Sequence, residues 1–390
     1  MFSKLFDSFL VHYLERFNDH CFNVKVGDNE YTIGEGTPEF TIRVNRDIPK
    51  KDLLVSAELA LGEAYMRKDI EIEGDLFKAL CVVLGHVNKD SINKKVLNSL
   101  FNVGLKKKDQ KQQVSSHYDL GNDFYSLWLD KTMSYSCAYF EHEDDSLEDA
   151  QYQKVHHILD KLYLKEGMTL LDIGCGWGFL LIEAARKYGV KGYGCTLSEE
   201  QWKKGQERIK EFGLEGQVEI ELIDYRDVAA SGRTFDRIVS VGMLEHVGRP
   251  NFPLYMEDAS TMLNDSGLFL LHYISDPSEK ESSAWIRKYI FPGGCLPSLR
   301  EMVSIAYNYD FNVIDVESLR LHYYKTLMHW YNNFQGVRDQ IEKARGTEFV
   351  RMWDLYLCGC AAGFYIGNMD LHQILMTKGV NNELPLTRWY

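Results

Sequence analysis

Leu170-Leu171-Asp172-Ile173-Gly174-Cys175-Gly176-Trp177-Gly178 is the stretch whose reading decides the fold. A short apolar run carries an acid, passes three glycines at alternate positions, and opens into Phe179–Tyr188, whose apolar residues recur at helical spacing. Glycine is needed where a chain turns sharply or a ligand approaches the backbone, because a Cβ would block either. The spacing is G-x-G-x-G, not the G-x-G-x-x-G of dinucleotide-binding turns. Working outward, Ser146–Leu162 reads as a helix, Met168–Ile173 as a strand and Lys191–Thr196 as the next strand. Glu199–Phe212 is again helical, and Val218–Leu222, Phe235–Val241 and Gly267–Tyr273 supply further strands. This alternation predicts an α/β fold, a Rossmann-like, mostly parallel sheet with helices on both faces. Ligands of such sheets gather at the carboxyl ends of the strands.

Residues 1–90 follow another rhythm. Phe2, Leu5, Phe6, Phe9, Leu10 and Tyr13 have helical spacing, and Phe22–Val26, Tyr31–Ile33 and Phe40–Val44 alternate as short strands around a turn at Gly27-Asp28-Asn29. Leu53–Met66 and Leu76–Val87 return to helical periodicity. A smaller N-terminal α+β domain is expected, without a catalytic cluster. Residues 91–116 hold Lys94, Lys95, Lys106, Lys107, Lys108 and Lys111 against one acid, Asp109. Val96, Leu97, Leu100, Phe101 and Leu105 share one helical face there. Two readings stand side by side: a solvated linker helix, or an interfacial helix drawn to anionic lipid at about 1 kcal/mol per Lys. Residues 117–390 then form the third and catalytic unit.

The 390 residues suit two or three domains. With 44 basic and 57 acidic side chains the net charge is −13, so nucleic acid is not an expected partner. The eight cysteines include no C-x-x-C pair. Zinc ribbons and thioredoxin-like chemistry lose support, no metal is expected, and the thiols read as reduced residues of a cytoplasmic protein. The N-terminus lacks the apolar core of a signal peptide, and no apolar run reaches the ~18 residues of a membrane span.

The glycine turn resembles the first motif of S-adenosylmethionine-dependent methyltransferases of class I. In that family the turn faces the methionine and ribose portions of the cofactor, which implicates Asp172, Gly174, Cys175 and Gly176. One departure is visible. The second strand usually ends in an acid that holds the ribose hydroxyls. Here it ends Gly194-Cys195-Thr196-Leu197-Ser198, followed by Glu199, Glu200 and Gln201. Thr196, Leu197 and Gln201 become the candidates for cofactor contact. Ser198 and Gln201 also read as an N-cap and its capping-box partner, and the two readings are compatible. Ile223-Asp224-Tyr225-Arg226-Asp227 falls where such enzymes meet adenine, so Tyr225 and Arg226 join the set. Tyr135 and Ser136 complete it.

The acceptor is narrowed by His117-Tyr118-Asp119-Leu120-Gly121-Asn122-Asp123-Phe124-Tyr125, Met133-Ser134-Tyr135-Ser136-Cys137-Ala138-Tyr139-Phe140 and Val241-Gly242-Met243-Leu244-Glu245-His246-Val247-Gly248. With Lys288-Tyr289-Ile290-Phe291-Pro292-Gly293-Gly294-Cys295-Leu296-Pro297, these resemble the cyclopropane-fatty-acid synthases and the related mycolic acid cyclopropane synthases. Gly62-Glu63-Ala64-Tyr65-Met66 is similar to the phospholipid-acting bacterial branch, which carries an extra N-terminal domain. The resemblance spans nearly the whole chain.

It implies transfer of a methylene group from S-adenosylmethionine to the cis double bond of a phospholipid acyl chain. The alkene is a feeble nucleophile, so alignment with the methyl–sulfur bond carries much of the catalysis. The resulting carbocation must be kept from water and deprotonated before the ring closes. Aromatic faces can each stabilise a cation by roughly 0.5–2 kcal/mol. In the family the base is a bound bicarbonate, and its cradle maps onto Cys137, Glu245, His272, Ile274 and Tyr323. The backbone amides of Cys137 and Ile274 would donate, as would His272 in the right tautomer and the hydroxyl of Tyr323 or its neighbour Tyr324. Glu245 would orient and relay a proton, either by taking one from bicarbonate or by pairing with His272. Without the resemblance, Glu245 reads as a helix start and His272 as a core histidine. Cys360 matches a cysteine sometimes proposed as catalytic, yet the chemistry needs no thiol and a small buried hydrophobe is the plainer reading. The resemblance further implies a homodimer and peripheral association with the inner face of a bilayer. The rivals are a methyl-branched or hydroxylated product of the same cation, a small-molecule N-methyltransferase, and an inactive lipid-binding protein.

Overall fold

Alternating apolar residues build a small sheet from β1 (Phe22–Val26), β2 (Asn29–Ile33), β3 (Phe40–Val44) and β4 (Ile70–Gly74), in the order β2-β1-β3-β4. β1 and β3 run parallel and the other pairs antiparallel. Phe22, Val24 and Val26 of β1 and Phe40, Ile42 and Val44 of β3 bury one face, as period-two alternation requires. Ala60 and Ala64 of the helix Lys50–Met66 and Ala79 and Val82 of the helix Leu76–Val87 complete this core. The computed structural model describes residues 14–87, 120–279, 282–388 and 390. The expected N-terminal helix through Tyr13, the Lys-rich segment 91–116 and His117-Tyr118-Asp119 lie outside the described residues.

The compact units are cut differently from the continuous segments expected. Among the described residues, Ser282–Ile290 and Leu327–Asn368 group with the N-terminal stretch rather than with residues 120–279. The reason is an apolar surface that its own segment cannot cover. The helix Thr347–Tyr365 packs on both Leu76–Val87 and Lys50–Met66. Arg351 of that helix donates from Nε to the Tyr65 carbonyl at 2.6 Å and from Nη2 to the Ile70 carbonyl at 3.0 Å. The short helix Ala284–Tyr289 lies on Lys50–Met66 too. Here the motif Gly62-Glu63-Ala64-Tyr65-Met66 finds its physical basis. A Cβ on Gly62 would come 2.4 Å from the Trp285 ring. Glu63 Oε1 accepts from Lys288 Nζ at 2.5 Å and from Tyr289 Oη at 2.8 Å.

The second unit holds a seven-stranded sheet of β5 (Thr169–Ile173), β6 (Lys191–Thr196), β7 (Val218–Leu222), β8 (Phe235–Val241), β9 (Leu263–Ser275), β10 (Phe311–Ser318) and β11 (Asp370–Lys378). Its order is β10-β11-β9-β8-β5-β6-β7. The run β9-β8-β5-β6-β7 is parallel, and β11 and β10 close the edge antiparallel. The chain steps from β5 outward to β7, then returns to lay β8 on the other side of β5. The order therefore reverses beside β5, where such sheets open a crevice. Both faces are packed: Leu171 and Ile173 join one core cluster and Leu170 the other. β6, β7 and β8 coincide with the expected strands, whereas β4, β10 and β11 were not expected. Among the described residues no helix is long and apolar enough to cross a membrane.

The seat of Trp285 gives a prediction with a change of sign. Gly62→Ala should destabilise the protein by about 1–3 kcal/mol through overpacking. In a Trp285→Ala background the clash is gone, and the same change should stabilise by up to about 1 kcal/mol through helix propensity. Denaturant unfolding of the four proteins measures this, and equal effects in both backgrounds would refute it.

Candidate active site

At the reversal point the glycine turn is held in conformations that favour glycine. Gly174, Gly176 and Gly178 have φ of 82°, 55° and 78°. A Cβ on Gly174 would meet Met243 at 2.9 Å, while one on Gly176 would meet nothing within 4 Å. The amides of Gly174 and Cys175 both donate to the Cys195 carbonyl at 3.1 Å, which ties the turn to the end of β6. A cavity lies over the carboxyl ends of β5, β6 and β8. Of the residues expected to meet the cofactor, Tyr135, Ser136, Asp172, Gly174, Cys175, Gly176, Thr196, Leu197, Gln201 and Tyr225 line it.

Arg226 does not. Its guanidinium turns back onto Asp224, from Nε at 2.8 Å and from Nη2 at 2.7 Å. Asp224 also accepts from the Arg226 amide at 3.0 Å, so the pair closes on itself at the start of the helix Tyr225–Ala230. At the second strand's end the expected N-cap is made, but the Ser198 amide donates to Thr196 Oγ1 at 3.3 Å and the Gln201 side chain does not close the expected capping box. Ser198 caps Glu199–Glu211 by accepting from the Gln201 amide at 3.3 Å. The Gln201 side chain meanwhile accepts from Thr196 Oγ1 at 2.9 Å, and both residues face the cavity.

Lys154 was missed by sequence reasoning. It lines the cavity, is 3% exposed, and donates from Nζ to Ser136 Oγ at 3.0 Å. Burial lowers its pKa to about 8, against the pull of Asp130, Cys137 and Asp172. Burial raises Asp172 to about 7, opposed by Lys154, and its Oδ1 is buried without a hydrogen-bond partner among the described residues. A signal was present. On the helix Leu147–Lys161 the buried face runs Leu147, Ala150, Gln151, Lys154, Val155, Ile158, so a lysine sits in an apolar stripe. Trp177, Met243 and His246 also line the cavity and were not singled out. The residue types fit S-adenosylmethionine: an unpartnered acid and a buried lysine for its amino-acid end, Thr196 and Gln201 for hydroxyls, and Ile223, Leu197 and Tyr225 for a flat ring.

The expected acid–base residues lie beyond that lining. Glu245 sits in the short turn Leu244–His246 that follows β8. Its Oε1 accepts from the Ile274 amide at 2.6 Å, and Oε2 is buried without a partner among the described residues. Burial pushes the carboxyl up to about 7, with the Ile274 amide opposing. The pairing of Glu245 with His272 that sequence reasoning allowed is not made. Instead the His272 Nδ1 lies 3.2 Å from Gln373 Nε2, its cross-strand neighbour. His272 is 1% exposed, and its Nε2 is buried without a partner among the described residues. Burial, helped by Lys154 and Lys161, keeps the ring neutral.

Leu319 connects the rest. Cys137 Sγ lies 3.9 Å from the Leu319 carbonyl, to which the Tyr323 amide also donates at 3.0 Å. The Leu319 amide donates to Leu371 at 2.8 Å, and Leu371 pairs opposite Ile274. Cys137 is fully buried, and burial raises its thiol well above the ordinary value. Cys360 belongs to the helix Thr347–Tyr365 in the first unit, and burial pushes its thiol up to about 12.

Comparison with known proteins agrees with this geometry. Residues 105–374 match the family described as mycolic acid cyclopropane synthetase, and residues 9–95 match a domain of unknown function. The chain is 40% identical over 362 residues to the cyclopropane-fatty-acyl-phospholipid synthase of Escherichia coli K12, covering 90% of this chain and 92% of that one. It is 39% identical over 372 residues to a probable fatty acid methyltransferase of Pseudomonas putida, covering 92% and 93%. Among solved structures it resembles the mycolic acid cyclopropane synthase CmaA1 complexed with SAH and CTAB, with a TM-score of 0.65 at 36% identity over 69% of this chain and 98% of the other. Strand order, glycine turn and these similarities together make the chain a member of the mycolic acid cyclopropane synthetase family, an S-adenosylmethionine-dependent methyltransferase of the class I fold.

Proposed function

We propose that the protein converts cis double bonds in the acyl chains of membrane phospholipids into cyclopropane rings. The observation that carries this reading is a pair of buried atoms without partners among the described residues, Glu245 Oε2 and His272 Nε2, in a family whose chemistry needs a deprotonation in a dry site. S-adenosylmethionine supplies an electrophilic methyl group. Asp172 and Lys154 would hold its amino-acid end, and Thr196, Gln201 and Tyr225 the nucleoside. The wall behind is aromatic. Tyr135 packs on Tyr125 and Trp128 with ring centres 5.4 and 5.5 Å apart, and Tyr125 packs on Trp177 at 5.8 Å. Such a wall keeps water from a cationic acyl chain.

Bicarbonate, held by Glu245, His272, Tyr323 and the amide of Cys137, would supply the base; the Ile274 amide, expected to join them, is instead taken by Glu245 Oε1. A carboxylate at Glu245 would repel that anion. With its pKa raised to about 7, about half of the carboxyl population is neutral near neutrality, and in that form Oε2 can present an O–H. Oε1 stays fixed by the Ile274 amide, so the proton is carried on a defined side. Cys360 has no part in this scheme, because a thiol held near 12 supplies almost no thiolate. A homodimer and peripheral attachment to the inner face of the bilayer belong to the same reading. The Lys-rich segment 91–116 supports the attachment, since it concentrates positive charge in a chain of net charge −13.

Four outcomes are expected. Incubation with oleoyl phospholipid vesicles and S-adenosylmethionine should yield a saturated ring by mass spectrometry of the released chains. A methylene-branched or hydroxylated chain would instead overturn this reading. Glu245→Gln should lower turnover by about 10²–10⁴ and leave S-adenosylmethionine affinity nearly unchanged by calorimetry. The same variant tests the titration. A carboxyl raised from 4.5 to about 7 favours the folded state below 4.5, and that stability is lost as pH rises through 7. Glu245→Gln should therefore be more stable than the parent above pH 8 by up to about 3 kcal/mol, with the difference vanishing near pH 4. Identical pH profiles of thermal unfolding would contradict a buried neutral carboxyl. Changing Lys106, Lys107 and Lys108 to Gln should weaken binding to anionic vesicles without altering cofactor affinity, and unchanged vesicle binding would remove the interfacial role.

A further inference from the structure

A chain of polar groups, half-buried at His157 and Glu317 and buried at Lys161, Gln373 and His272, runs from the helix Leu147–Lys161 through β10 and β11. His157 Nε2 lies 2.7 Å from Glu317 Oε2, and Lys161 Nζ donates to the same carboxylate. Burial works against a charged Glu317, but His157 and Lys161 hold it down to about 2. Lys161, 1% exposed, also donates to Gln373 Oε1 at 2.9 Å. Gln373 is likewise 1% exposed, and its Nε2 stands 3.2 Å from His272 Nδ1.

Donor logic fixes every orientation along this chain. An ammonium group has no lone pair and can only donate. The Gln373 oxygen must therefore face Lys161, which turns the amide nitrogen toward His272. That nitrogen can only donate, so Nδ1 of His272 must accept and carries no hydrogen. The hydrogen of the neutral ring then resides on Nε2, the atom that is buried without a partner. Without Gln373 the two neutral tautomers would compete, and one of them presents a lone pair instead of a donor at Nε2.

We propose that Gln373, itself oriented by Lys161, is a positioning residue that locks His272 as its Nε2–H tautomer and so aims a hydrogen-bond donor at the anion of the active site. The inference deepens the bicarbonate reading above and rests on it for the identity of the anion, whereas the tautomer lock stands on the hydrogen bonds alone. A buried donor is the right group for an anion that must stay a base. It holds the anion without delivering a second positive charge beside the sulfonium.

The full-length protein with ¹⁵N-labelled histidine tests both parts. Long-range ¹H–¹⁵N correlation separates the two neutral tautomers, and His272→Asn identifies the signal among the twelve histidines. The parent should show Nδ1 unprotonated and Nε2 protonated at pH 7.5. Gln373→Glu places an acceptor at Nδ1 and should reverse the pattern. Gln373→Met removes the bond and should give a mixture. In vesicle assays Gln373→Glu should raise the bicarbonate concentration for half-maximal rate at least tenfold, with S-adenosylmethionine affinity within twofold of the parent by calorimetry, which also reports correct folding. An Nδ1–H ring in the parent, or an unreversed pattern in Gln373→Glu, overturns the lock. A reversed ring with unchanged bicarbonate dependence supports the lock and overturns bicarbonate as the anion it serves.

Discussion

Burying ionisable groups at the carboxyl edge of a parallel sheet is the constraint on which the rest depends. With both faces of the sheet covered, polar atoms withdrawn from water can face a ligand only at the strand ends. Asp172 near the end of β5 and Glu245 just beyond β8 obey this, and both are pushed to about 7 by burial. Each retains one carboxyl oxygen without a partner. Leaving such atoms unsatisfied is costly in a folded protein. The cost is tolerated where a bound group completes the hydrogen bonds. The sheet thus determines where the chemistry can be placed, and burial determines the charge it carries.

Three parallel strands, Lys191–Thr196, Val218–Leu222 and Phe235–Val241, fall where the sequence places them. Val218–Leu222, itself at a sheet edge, is legible because Val218 and Ile220 alternate with Glu219 and Glu221 and are both buried. β10 could not be read this way. It lies at a sheet edge, and only Phe311 is fully buried along Phe311–Ser318. β4 offers just Ile70 and Ile72 as alternating apolar positions, too short a signal beside the helices that flank it. Residues contributed by the turn motifs could be located because neighbours in sequence stay neighbours at a strand end. Lys154 comes from a helix preceding the first strand of the sheet, and no local motif ties it to Asp172.

The departures have a common cause. A motif gives the position of a backbone but not the choice a side chain makes among nearby partners. Arg226 occupies its expected place and yet turns to Asp224, because a bidentate carboxylate two residues away satisfies the guanidinium locally. Glu245 likewise takes the Ile274 amide rather than the His272 ring, and His272 is claimed by Gln373 across the strand pair. These preferences depend on strands that meet only in the folded sheet.

The manner in which the first unit is assembled bears on how such a chain can change over generations. Its core is stitched from pieces on either side of residues that belong to the catalytic sheet, and Thr347–Tyr365 shields helices some 270 residues upstream by sequence number. A descendant that dropped the N-terminal stretch would strand Arg351, whose guanidinium would lose the Tyr65 and Ile70 carbonyls, and Tyr365, whose ring would lose Phe77. Acquiring or discarding this module is therefore not an appendage event at one terminus. It demands concerted replacement of interior residues late in the chain, which couples the ancestry of the two units.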